Sequence, residues 1–139
     1  MQTVADLMIR NVLCLQDTQT LKDAHQLIRD KGIRHIPIVN DQQELVGVLS
    51  QRPLLAFMLQ AVDSGGLPYA NKLEARTAVR ELMDPALTIT EQTLLTTAAH
   101  TLLSNKQACL IVTDGKKVAG ILSPIDFIRC ALHFLERKN

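Results

Sequence analysis

Apolar residues fall along this chain in two alternating rhythms, and the same series of rhythms occurs twice. From Leu21, apolar positions recur at helical spacing (Leu21, Ala24, Leu27, Ile28), which predicts an amphipathic helix with one buried face. Leu95, Ala98, Leu102 and Leu103 predict a second such helix. Each is preceded by a short apolar run, Val12–Leu15 and Leu87–Thr90, read as a brief strand. Each is followed by two longer runs, read as a hairpin. In the first copy these are Ile36–Val39 and Leu45–Ser50 around the polar turn Asn40-Asp-Gln-Gln-Glu44. In the second they are Cys109–Thr113 and Val118–Leu122 around Asp114-Gly115-Lys-Lys117, where Asp-Gly is a strong turn signal. Gly32 suits a left-handed cap after the first helix, and Asn105 stands at the corresponding place in the second.

Short echoes reinforce the repeat. Val4-Ala-Asp-Leu-Met8 returns as Val79-Arg-Glu-Leu-Met83, and Ala24-His25 as Ala99-His100. Ile38-Val39-Asn40-Asp41 returns as Ile111-Val112-Thr113-Asp114, and Gly47-Val48-Leu49-Ser50 as Gly120-Ile121-Leu122-Ser123. On this alignment the second copy is two residues shorter between its central helix and its hairpin. A closing helix is expected after Ser50 and again after Ser123. The fold class is therefore α/β, with two β-α-β-β-α repeats that each need the other to complete a core. The division expected is repeat 1 over residues 1–62, a linker over 63–75 marked by Asp63-Ser-Gly-Gly-Leu-Pro68, and repeat 2 with its closing helix over 76–139.

Composition narrows the function. Nearly half of the 139 residues are apolar (47%), enough for a packed core, and the formal charge is only +1. With aromatics at 3%, neither a basic field nor a stacking platform exists, so nucleic acid is not an expected partner. The start MQTVADLM has no basic stretch ahead of an apolar run, and no run is long enough to span a bilayer. Cys14, Cys109 and Cys130 are odd in number and set among apolar residues, which suits buried thiols in a reducing, cytoplasmic setting. No membrane association is expected. The four histidines lack ligand spacing, so no metal is expected. No nucleophile–base pair or Gly-rich phosphate loop is present, so the chain does not read as an enzyme.

The V-x-x-L-M openings and G-h-h-S closings, in this order of elements, resemble the CBS domain in its usual tandem arrangement, the Bateman module. The resemblance covers nearly the whole chain. It implies two repeats related by a pseudo-two-fold axis and a stand-alone regulatory module that binds an adenosine-containing ligand: AMP, ADP, ATP, NAD or S-adenosylmethionine. In the family, G-h-h-S/T-x-x-D places the hydroxyl near phosphate or ribose and the carboxylate on the ribose hydroxyls. An ionised carboxylate only accepts, and can take both hydrogen bonds of a vicinal diol. The second copy matches with Gly120, Ile121, Ser123 and Asp126; in the first, Pro53 replaces the acid after Gly47 and Ser50. One intact and one degraded cleft are implied. The intact one would take its adenine-facing wall from Ile33, Arg34, His35, Ile36 and Pro37, with Met8 and Leu13 nearby, and Arg34 or Arg52 could neutralise phosphate.

Two bland alternatives stand beside this reading. Ser123-Pro124-Ile125-Asp126 is by itself a good helix start, with a capping Ser, Pro in the first turn and an acid at the third position. The pair could equally be a ligand-free docking module for a partner protein. The closing helices, Leu54–Leu59 and Phe127–Leu135, are apolar on nearly every face. A domain this small cannot cover both, so a homodimer through them is expected.

Overall fold

The computed structural model describes residues 2–105 and 108–137. The chain forms two compact units that do not coincide with the two sequence copies. One is contiguous, Leu13–Pro85; the other is split, Met1–Val12 with Ala86–Asn139. Each unit contains the body of one copy and the opening segment of the other.

The contiguous unit has a three-stranded sheet in the order β1 (Leu15–Gln16), β2 (His35–Val39), β3 (Leu45–Ser50). β1 runs parallel to β2, and β2 antiparallel to β3. Helix α1 (Leu21–Lys31) crosses between β1 and β2. It starts on a reciprocal cap: Asp23 N–H donates to Thr20 Oγ1, and Thr20 N–H donates to Asp23 Oδ2. It ends on Gly32 in the left-handed conformation, as expected. Leu21, Ala24 and Ile28 pack with Ile36, Ile38, Leu49 and Leu54 in the core. Val79, from the opening of the second copy, completes that core and is fully buried.

The split unit repeats the plan with β4 (Thr88–Ile89), α3 (Leu95–Asn105), β5 (Leu110–Asp114) and β6 (Lys117–Leu122), followed by α4 (Pro124–Arg137). Ala98, Leu102, Leu110, Val112 and Leu122 form its core, and here Val4 and Met8 from the opening of the first copy complete it. Leu103, expected on the buried face of α3, is 80% exposed; the face turns through Leu95, Ala98 and Leu102 instead. Asn105 does not adopt the left-handed cap: it is still helical, and its side-chain amide donates to the Thr101 carbonyl.

The opening segments dock through backbone bonds at the outer edge of each hairpin. Ile9 and Ile121 exchange two bonds of 3.0 Å in the split unit, and Val48 and Asp84 exchange two of 2.9 Å in the contiguous one. This explains the glycine of each G-h-h-S closing. A Cβ on Gly120 would lie 2.8 Å from the Ile9 carbonyl oxygen and 2.8 Å from Met8 Sδ. On Gly47 it would lie 2.7 Å from Met83 Sδ and 2.9 Å from the Asp84 oxygen. The V-x-x-L-M and G-h-h-S echoes are thus two sides of one contact, made once in each unit.

Pairing also corrects the alignment of the copies. Val4 and Val79 are 75 residues apart, the helix starts Leu21 and Leu95 are 74 apart, and Gly47 and Gly120 are 73 apart. The strand partners of those glycines, Ile38 and Val112, are 74 apart. One residue is therefore lost between the opening turn and β4, and one in the hairpin turn, not between helix and hairpin. His25 corresponds to Ala99, so the Ala-His and Ile-Val echoes are each one residue out of register.

The segment 63–75, expected as a linker, is helical on both sides of a single break. Helix α2 spans Gln51–Arg76 with only Gly66 outside helical geometry (φ 86°, ψ 175°), a region essentially reserved for glycine. Pro68 then lies in the first turn of the second half, where its missing N–H costs little. Ala70 and Glu74 of that half are buried.

Candidate functional site

The two closings, alike in sequence, are wired differently. In the split unit β6 ends at Leu122 and α4 begins at Pro124, so Ser123 is the residue before the helix. Ser123 N–H donates to Asp126 Oδ2 at 2.8 Å, the Ser123 hydroxyl donates to the same oxygen at 3.2 Å, and Asp126 N–H donates back to the Ser123 carbonyl at 3.0 Å. Asp126 is 6% exposed, one of two buried charged residues among those described. The helix start lends this carboxylate a favourable dipole as well as donors. Oδ1 takes no part in these bonds.

In the contiguous unit Ser50 precedes α2 in the same way, but its side chain makes no cap. Ser50 pairs across the hairpin with His35, and His35 Nδ1 lies 2.9 Å from Ser50 Oγ. The equivalent of His35 in the second copy is Cys109, which leaves Ser123 to Asp126. Pro53 removes the competing acid. Burial, and then the adjacent Arg34 charge, push the His35 pKa below the usual imidazole value. The Gln51 N–H at the start of α2 is already taken by the Arg34 carbonyl.

Of the residues expected at the site, Met8, Ile121, Ser123 and Asp126 lie in the split unit. Met8 is 8% exposed and packs against Gly120, next to Ile121. Leu13, Ile33, Arg34, His35, Ile36 and Pro37 lie in the contiguous unit. Ile36 and Pro37 are fully buried, Ile33 packs against the core, Arg34 is exposed, and Leu13 is 43% exposed. Pro37 is tolerated in a central strand because its neighbour Val48 turns both backbone groups to Asp84. At the matching place in the split unit Ile111 N–H donates to the Leu87 carbonyl at 2.9 Å, a bond that Pro37 cannot make to Leu13.

Two pairs were not foreseen in the sequence: His35 with Ser50, and His25 with Glu74. The first was hidden by a bulge: counting back from the hairpin turn sets residue 35 opposite 49, and the register shift between Ile38 and Val39 moves it to Ser50. The second joins α1 to the far half of α2 (His25 Nδ1 to Glu74 Oε2, 2.8 Å) and has no sequence signal. No group of three metal-ligating side chains is found among the described residues, and none of their helices is long and apolar enough to cross a membrane.

The CBS domain family model matches the chain twice, over residues 4–59 and 79–133. The chain is 31% identical to the CBS domain-containing protein CBSX2, chloroplastic, of Arabidopsis thaliana, with 94% of this chain and 63% of that protein covered. It thus spans less than two thirds of the length of that relative. Among solved structures, a Vibrio cholerae protein assigned to acetoin utilization (AcuB) superposes with a TM-score of 0.79 at 33% identity, covering 99% of this chain and 96% of that one. The crystal structure of CBSX2 in complex with AMP superposes with a TM-score of 0.78 at 28% identity, covering 96% and 98%.

Proposed function

The chain belongs to the CBS domain family and carries two copies of that domain, and from this premise we propose that it is a regulatory module sensing an adenosine-containing ligand. The observation that carries the reading is Asp126. Its carboxylate is buried at the start of α4, anchored through Oδ2 to Ser123, with Oδ1 left as acceptor for a ribose hydroxyl. A carboxylate held at fixed orientation by donors on one oxygen loses little freedom when the other accepts a diol. The AMP held by the similar CBSX2 structure supports the ligand class. AMP, ADP, ATP, NAD and S-adenosylmethionine share the adenosine unit. The ligand would act by favouring one arrangement of the chain, within the limit set by its differential affinity.

The first copy does not add a second site of this kind in our reading, because Pro53 replaces the acid and His35 engages Ser50. The residues expected to face the base, Ile33–Pro37 with Leu13, are a separate proposal; Leu13→Glu is expected to weaken binding of the nucleotide. The role is regulatory rather than catalytic, and the setting cytoplasmic.

Calorimetric titration with AMP, ATP, NAD and S-adenosylmethionine tests the reading, on the native chain and on Asp126→Asn. The Asn variant keeps an acceptor for the cap while removing the charge. Saturable binding near one ligand per chain, at least ten-fold weaker in the variant, is expected. A well-folded protein that binds none of the four at millimolar concentration would refute it.

A second reading rests on a different observation. Ile125, Ile128, Leu132, Phe134 and Leu135 of α4 are each 45–62% exposed, as are Leu55 and Leu59 of α2 at 57% and 67%. Apolar stripes of this kind mark a contact surface. We assign them to self-association into a homodimer, or to docking on a regulated partner, with or without a ligand.

A further inference from the structure

The serines that precede the two closing helices face different partners across their hairpins. Ser50 pairs with His35, whose Nδ1 sits 2.9 Å from the serine hydroxyl. In the split unit Leu110 pairs with Leu122, so the next residues outward, Cys109 and Ser123, stand opposite each other in the same way. Residues directly opposite in an antiparallel pair point to one face of the sheet, within reach of each other. This partner acts on the serine from the strand side, as Asp126 or Pro53 does from the helix side.

The two partners make different demands on a hydroxyl. A neutral imidazole presents either a good acceptor or a good donor at Nδ1, according to its tautomer, and both engage the serine oxygen. A thiol is weak in either role. Cys109 is 3% exposed, and burial pushes its pKa up to about 11, so it stays an uncharged thiol near neutral pH. Ser123 is left to give its proton to Asp126 Oδ2 at 3.2 Å, beside its own N–H at 2.8 Å. Those two donors fix one carboxylate oxygen and so set the direction of the other. Ser50 makes no cap bond, and Pro53 offers neither a carboxylate nor an N–H at the third helical position.

We propose that the side chain opposite the serine is a positioning residue that decides whether a copy can hold an adenosine ligand: Cys109 permits it and His35 forbids it. This rests on the reading of Asp126 as the ribose acceptor. It adds that the first copy is closed twice over, from the strand by His35 and from the helix by Pro53, so that restoring the acid alone does not open it. In the second copy an imidazole at position 109 would take the Ser123 hydroxyl, as His35 takes that of Ser50. Asp126 Oδ2 would keep only its backbone donor. The carboxylate then turns more freely, and the fixed direction that favours a vicinal diol is lost.

Cys109→His and Cys109→Ala in the full chain test this, first without nucleotide and then with it. Without it, Asp126→Ala is expected to lower the folding equilibrium constant about five-fold in the native and Cys109→Ala backgrounds, but less than about two-fold beside Cys109→His, from urea midpoints. With AMP, affinity is expected to fall about ten-fold or more in Cys109→His and to stay within about three-fold in Cys109→Ala. A merely structural role would weaken binding in both, since alanine leaves a gap in the core. In the first copy, Pro53→Asp alone is expected to leave binding at one AMP per chain, and Pro53→Asp with His35→Cys to raise it toward two. These first-copy variants decide the matter if Cys109→His fails to fold. An equal cost of Asp126→Ala in all three backgrounds, equal weakening by both Cys109 substitutions, or a second AMP bound by Pro53→Asp alone would overturn the proposal. If the native chain binds no AMP, the adenosine reading fails; the positioning of Asp126 from position 109 then stands or falls on the urea comparison.

Discussion

Met8 lies against Gly120, its sulfur 2.8 Å from where a Cβ on that glycine would sit. Met83 stands in the same relation to Gly47 at 2.7 Å. Alanine at either glycine must also displace a backbone carbonyl, Ile9 or Asp84, which cannot simply swing aside. Gly120→Ala and Gly47→Ala are each expected to cost about 1–3 kcal/mol, the usual penalty of overpacking, read from urea midpoints. Replacing the methionine with alanine alongside is expected to recover only part of the loss.

Asp126 has a structural task whatever it binds. Asp126→Ala removes the acceptor for both Ser123 donors and is expected to cost about 1 kcal/mol, whereas Asp126→Asn keeps most of that. Denaturation of both variants without nucleotide checks this. A nucleotide effect that follows the charge while stability follows the cap would separate the two roles.

His35 gives a dependence on pH whose sign is fixed. Its pKa is lowered in the folded chain, so below the ordinary imidazole value of 6.5 the unfolded chain binds more protons than the folded one. The contribution of the neutral ring is therefore fully present above that value and is lost as pH falls toward the lowered one. Urea midpoints at pH 7.5 and 5.5 are expected to differ less in His35→Gln than in the native chain.

The His25–Glu74 pair ties α1 to the part of α2 beyond Gly66. His25→Ala leaves a buried carboxylate without its partner and is expected to cost about 2 kcal/mol, more than Glu74→Gln. Hydrogen exchange is expected to quicken in Leu67–Arg76 more than in Gln51–Gly65.

Much of the fold was legible because apolar periodicity is local: all six strands and the central helices were placed to within a few residues, as were the starts of the closing helices. What failed depended on partners distant in sequence. Leu103 fits the helical period as well as Leu102 does, and only the packed core separates them. The break read at 65, 66 and 68 is there, at Gly66, but the helix that resumes beyond it was not legible, since nothing local says that Glu74 is held by His25. The Ala-His echo misled because identity of letters outweighed register, which hairpin pairing decides. At the site, the signature pointed to Asp126 and Pro53, but His35 as the replacement partner of Ser50 needed the strand pairing.

Leu13–Pro85 holds its own sheet, core and docked opening segment in one continuous stretch. A fragment of those residues is expected to fold cooperatively. A fragment from Ala86 onward is expected to fold poorly until a peptide carrying residues 2–12 is added, as circular dichroism and thermal melts would report.

The exchange of opening segments also orders events on the ribosome. Everything in the contiguous unit emerges in sequence and can settle as soon as Pro85 clears the exit tunnel. Residues 2–5 take their backbone partners from Glu91–Leu95, and Ile9 takes its own from Ile121 in β6, so this segment has no place to bind until those much later residues have been made. While the whole contiguous unit is being made this segment therefore waits, with Val4 and Met8 uncovered. A chaperone that captures nascent apolar segments would find its target in residues 2–9 and hold it until β6 is made.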